Sequence, residues 1–143
     1  MPYERREDRS RVPASEAFEA AGGLCSRWRV HWIKLWDIEQ PMSEEQMQQI
    51  PPALASGHPV ACGLRWPNND SGENLSEVPG PDDVYDGHSI AFVGYRDDPT
   101  VEGGGEFIYR NSNGPRWGDE GYGVMSYAYV EAYANDALWI ELG

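Results

Sequence analysis

Two blocks in the second half of the chain constrain its fold more than any other feature. The first, Asp86-Gly87-His88-Ser89-Ile90-Ala91-Phe92-Val93-Gly94-Tyr95, runs from an acid and a glycine into an apolar stretch of strand character. The second, Phe107-Ile108-Tyr109-Arg110-Asn111-Ser112-Asn113-Gly114-Pro115-Arg116-Trp117-Gly118-Asp119-Glu120-Gly121-Tyr122-Gly123, leaves a strand-like run for a segment punctuated by glycines. Glycine has that use where the backbone needs a positive φ or a close approach. Between the blocks stands Gly103-Gly104-Gly105, a turn signal. Strands joined through such a turn pair antiparallel, and His88 and Asn111, 23 residues apart, meet at one end of the sheet.

The rest of the chain reads as short elements. Residues 1–14 are polar and arginine-rich, an extended arm closed by Pro13, and Ser15 caps a helix over 15–21 that Gly22-Gly23 ends. From residue 28 to 36, Trp28, Val30, Trp32 and Trp36 recur with a period of two, which favours a strand with an aromatic face. The spacing of four between tryptophans leaves a helix open. Ser43-Glu44-Glu45-Gln46 is a capping-box sequence, Pro51 and Pro52 break or kink the helix it opens, and residues 59–64 form a short buried strand. Residues 67–86 turn to Asn, Asp, Ser, Gly and Pro, a long surface loop. Strands follow at 89–95, 106–111, 123–126 and 137–142, with a short helix over 127–133. The fold class is α+β, an antiparallel sheet or half-barrel with one or two short helices, in a single domain spanning residues 1–143.

The two blocks together resemble the histidine and asparagine segments of the papain-like cysteine peptidases. In that family a Gly-His or similar pair opens an apolar strand ending in Val-Gly-Tyr, and an Asn-Ser-Trp-Gly segment then leads into Trp-Gly-Asp-x-Gly-Tyr. The resemblance implies that His88 is the imidazole that takes a thiol proton and later protonates the leaving amine. It implies that Asn111 orients that ring through its side-chain oxygen. One position departs: Asn113 stands where the family has tryptophan, so the indole that covers the histidine–asparagine bond there is missing here.

The family's nucleophilic cysteine precedes its histidine by roughly 130 to 150 residues. This chain has 143 residues in all, so the resemblance is to the C-terminal half alone, and the nucleophile is expected from a missing N-terminal helical half or a partner chain. Cys25 is rejected for that role: it lies only 63 residues before His88, without a preceding glutamine, and leads into a strand instead of opening a long helix. Cys62, in an apolar strand, reads as a buried small hydrophobe. No metal-ligand spacing is present, and no cofactor is implied. Asp82, Asp83 and Asp86 lack calcium-loop spacing and read as solvated acids.

Charge narrows the partners. Residues 1–40 hold seven acids and seven bases, and residues 41–143 hold 17 acids and 4 bases, so the whole net charge of −13 belongs to the second segment. Such a surface repels phosphate backbones, so nucleic acid and anionic membranes are poor partners, and it attracts cationic peptides; a peptide or protein substrate is what the resemblance implies. The first residues are charged where a signal peptide needs an apolar run, so the expectation is a soluble protein without a signal peptide, its compartment open. Two functional readings follow: a peptidase half working with an external thiol, or an inactive peptide- or protein-binding module. The first also predicts an uncovered apolar face on the side of the sheet where His88 emerges, exposing some of Trp28, Trp32, Trp36, Trp66 and Trp117.

Overall fold

In the computed structural model, residues 15–25, 27–68 and 73–143 are described; the arm at 1–14 lies outside them. Contacts divide the chain into a small unit, residues 1–29 with 142–143, and a large one, residues 30–141. In the small unit α1 spans Ser15–Cys25, and the Gly143 N–H donates to the Arg27 carbonyl at 2.5 Å. The helix continues through Gly22 and Gly23, correcting the expected stop after residue 21. A glycine ends a helix by taking a positive φ, and neither of these does.

The large unit is built on a seven-stranded sheet of order β1-β7-β2-β4-β5-β6-β3. Its strands are β1 Trp28–Lys34, β2 Val60–Pro67, β3 Asn74–Leu75, β4 Val84–Asp97, β5 Gly105–Arg110, β6 Tyr122–Ser126 and β7 Ala134–Leu142. The pairs β2–β4, β2–β7, β4–β5 and β5–β6 are antiparallel, and the short β3 pairs parallel with β6. Three helices, α2 Glu44–Met47, α3 Ile50–Ala55 and α4 Tyr127–Tyr133, complete an α+β fold of the expected class. The surface-loop reading of 67–86 is refined: β3 and a 3-10 turn at Pro81–Asp83 lie within it.

Local chemistry places these elements. The Ser43 hydroxyl accepts from the Gln46 N–H at 3.2 Å while the Gln46 side chain accepts from the Ser43 N–H at 2.9 Å, the reciprocal cap that starts α2. Pro51 and Pro52 fall in the first turn of α3, where their missing donors cost nothing, so the break comes before them. Along β2 the side chains of Val60, Cys62, Leu64 and Trp66 are buried on one face. They meet Phe92 of β4, Tyr109 and Phe107 of β5, Met125 of β6, Ile50 of α3 and Tyr129 of α4 in one core. Burial of side chains this large contributes about 1.5–3 kcal/mol each.

Lys34 at the end of β1 is buried, its ammonium donating to the carbonyls of Asp37 at 2.9 Å, Gln40 at 2.7 Å and Ala134 at 2.5 Å. Desolvation holds the Lys34 ammonium below its ordinary value, with Asp37 opposing the shift. These bonds fold residues 35–41 back onto the start of β7, so β1 stops at Lys34 and Trp36 lies beyond it.

The other face of the sheet is open. Opposite partners across a ladder share a face, so Leu138, Ala61, Ala91 and Arg110 form one row away from the core, and Ile108 and Val124 lie on the same face in the next row. His31 stacks on Trp139, a core-side residue, so Val30 and Trp32 of β1 also face away from the core. Trp32 and Ile140 are 51% and 44% exposed. The expected aromatic exposure therefore holds for Trp28, Trp32 and Trp36, fails for Trp66, which is buried, and is partial for Trp117. Its side is corrected as well. His88 stands opposite Leu64, on the core face, and the open apolar face is the reverse one. Among the described residues no helix is long and apolar enough to cross a membrane.

Candidate active site

His88 lies within β4, which starts at Val84, and Asn111 is the first residue past β5. Pairing of these strands brings the two side chains together: His88 Nε2 is 2.9 Å from Asn111 Oδ1. The Asn111 N–H donates to the Gly121 carbonyl at 3.0 Å, closing the neck of the loop that the glycine-rich block forms. Arg110 reinforces it, donating from Nη1 to the Glu120 carbonyl at 2.5 Å while its guanidinium lies 4.5 Å from the centre of the Tyr122 ring. Gly118 has no substitute here. Its φ is 56°, and a Cβ would sit 2.4 Å from the Tyr122 carbonyl oxygen.

The hydrogen bonds settle the proton on the imidazole. Asn111 Oδ1 also accepts the backbone N–H of Ser112 at 2.8 Å, and a backbone N–H only donates, so the atom facing both groups is the amide oxygen. His88 Nε2 must then carry a hydrogen to make its bond. In the neutral ring Nδ1 is left as the acceptor, the nitrogen able to take a proton from an incoming group. Asn111 is buried, His88 half-buried, and Asn111 Nδ2 is a buried donor with no hydrogen-bond partner among the described residues.

Trp66 was not singled out for this site by its sequence context. Its ring centroid is 4.3 Å from that of His88, tilted by 59°, and the side chain is 1% exposed. Tyr109 meets Trp66 edge-on at 5.9 Å, and Trp117 packs on Tyr109 at 5.9 Å. Asn113 is exposed. The signal was present: Val60, Cys62, Leu64 and Trp66 alternate with a period of two, and the strand runs two residues past Leu64 and one more to Pro67.

Neither cysteine is placed as an activated thiol. Cys62 is buried in β2, its thiol pushed well above the ordinary range by desolvation and by Asp136. Cys25 is exposed and is the last residue of α1, not the first of a helix as the nucleophile implied by the resemblance would be. Among the described residues no group of three or more His, Cys, Asp or Glu side chains is arranged to hold a metal ion.

No family model matches the chain. An uncharacterized peptidase C1-like protein of Acanthamoeba polyphaga mimivirus is 26% identical over 136 residues, 90% of this chain and 41% of that protein. Among solved structures, xylellain, a cysteine protease from Xylella fastidiosa, aligns with a TM-score of 0.56 at 26% identity, covering 71% of this chain and 37% of that one. The proform of Amb a 11, a ragweed pollen cysteine protease, aligns at 22% identity with a TM-score of 0.50, over 68% of this chain and 30% of its own, a likeness of fold. The chain spans well under half the length of these relatives.

Proposed function

The chain has the fold of the C-terminal portion of the papain-like cysteine peptidases, and from that premise we propose that it supplies the base and its orienting amide for peptide-bond hydrolysis by a cysteine from outside this chain. The observation that carries the reading is the His88–Asn111 bond at 2.9 Å, with its direction fixed by the Ser112 N–H. A thiol brought to Nδ1 gives up its proton there, forming a thiolate and an imidazolium. The thiolate attacks the peptide carbonyl carbon, and Nδ1–H returns the proton to the departing amine. Water then attacks the acyl-enzyme with Nδ1 again as base. Through both steps Asn111 Oδ1 accepts from Nε2–H and holds the ring angle, as the third member of a triad does.

The open apolar face lies on the reverse of the sheet from His88, so it does not mark where a thiol-bearing half would meet the base. The test pairs two preparations under reducing conditions, from about pH 5 to pH 8. The chain alone leaves fluorogenic peptides uncleaved. Refolded with the cysteine-bearing portion of xylellain, it cleaves them, and His88→Ala abolishes cleavage. Turnover by the chain alone that disappears in Cys25→Ala overturns the reading.

A second reading, an inactive peptide- or protein-binding module, draws on the placement of both cysteines and on Asn113 at the tryptophan position. It predicts that peptide binding survives in the refolded complex without hydrolysis, and that His88→Ala leaves binding unchanged.

A further inference from the structure

A hydrogen bond between an imidazole and an amide orients a ring only where water does not compete for both partners. In this chain the position that resembles the covering tryptophan is the exposed Asn113, so any cover must come from elsewhere in the fold. The buried indole of Trp66 is the large side chain lying against the His88 ring. Its arrival there depends on an irregularity in the β2–β4 ladder. Leu64 stands opposite His88, but Trp66 stands opposite Tyr85, so one extra β4 residue intervenes between the two pairs. A bulge of this kind bends the strand and re-aims the side chains beside it. Tyr109 and Trp117 continue the aromatic packing behind Trp66, and Tyr109 immediately precedes Arg110 and Asn111 on the second strand. One run of rings thereby backs the His88 side of the candidate bond.

We propose that Trp66 is the positioning residue for His88: its indole takes over from a different strand the covering task left open at Asn113, fixing the imidazole plane and keeping water from the His88–Asn111 bond. The proposal rests on the reading of His88 as the base, and its test observes the bond itself instead of hydrolysis, so either can fail without the other. Loss of hydrolysis in every refolded complex, with the bond intact and dependent on Trp66, defeats the functional reading and leaves the positioning role standing.

The experiment uses the full chain with nitrogen-15-labelled histidine. It reads the tautomer of His88 and the solvent exchange of its Nε2 proton, with the signals of the stacked His31 as a monitor of folding. In the parent chain the Nε2–H tautomer dominates and the proton exchanges slowly. Trp66→Leu, with His31 undisturbed, speeds exchange by about tenfold or more and mixes the tautomers, and Trp66→Phe, which keeps a smaller aromatic cover, speeds it by about threefold. Unchanged exchange and tautomer in a folded Trp66→Leu overturn the proposal. Should Trp66→Leu fail to fold, Trp66→Phe decides alone, since an exchange rate equal to the parent's overturns it equally.

Discussion

Two of the histidine–tryptophan contacts in the large unit, His31 with Trp139 and His88 with Trp66, differ in what holds the imidazole. His31 stacks nearly flat on Trp139, at 3.9 Å and 7°, and lies 3.0 Å from Glu141. Its Nε2 has no hydrogen-bond partner despite that distance, so the carboxylate is an ion-pair neighbour without the alignment of a bond. His88 is tilted against Trp66 by 59° and bonds at 2.9 Å to an amide oxygen that is itself pinned by a backbone donor. The first arrangement does not fix which nitrogen carries the proton. The second fixes the nitrogen through a neutral acceptor. An imidazole beside an indole is therefore no signature by itself; the neutral acceptor with a locked direction makes His88 the candidate base.

The sharpest way to break this contrast is to delete each ring in the refolded complex described above. His88→Ala is expected to remove hydrolysis altogether and His31→Ala to leave it within about twofold, measured with fluorogenic peptides. Equal losses would erase the distinction between the two pairs. Next in size is the loop that holds Asn111. Gly118→Ala forces a Cβ against the Tyr122 carbonyl at a positive φ and is expected to cost about 3 kcal/mol in urea unfolding, with the His88 tautomer disturbed as well.

On the His31 side, Lys34→Met removes three donations to carbonyls and is expected to cost about 2–3 kcal/mol in the same assay. It should leave the tautomer of His88 untouched. Cys62 lies in β2 between the two regions, opposite Ile90 on one side and Ala137 on the other. Alkylation followed by mass spectrometry should modify the exposed Cys25 promptly and Cys62 only at the rate of unfolding, because the thiol is both buried and held protonated. The smallest effect belongs to the α2 cap, away from both pairs, where Ser43→Ala should cost about 1 kcal/mol in thermal unfolding.

The legible parts of this fold were those whose signals are local. The capping box at Ser43, the helix beginning at Tyr127, and the strands bearing the two blocks follow from short patterns that the final packing does not contradict. The proximity of His88 and Asn111 follows from one turn and one antiparallel pairing. What the chain did not disclose depends on register. The strand reading began at Ser89, one residue after His88, and successive strand residues point to opposite faces. With His88 left out of the ladder its side could not be assigned, and the open apolar face was expected on the wrong side. Trp66 reaches His88 through a ladder irregularity, which single-strand periodicity does not encode. The burial of Lys34 has no local signal, because its three acceptors come from Asp37, Gln40 and the distant Ala134.

The central claim is that Asn111 holds His88 as the Nε2–H tautomer and keeps Nδ1 free to act as the base. Nitrogen-15 chemical shifts of the His88 ring in the intact chain, at a pH where the ring is neutral, test this without requiring a partner or a substrate. The account predicts a protonated Nε2 and an unprotonated Nδ1, collapsing in Asn111→Ala to the mixture of tautomers seen for a free imidazole. A proton on Nδ1, or tautomers already mixed in the parent chain and indifferent to Asn111→Ala, would contradict it.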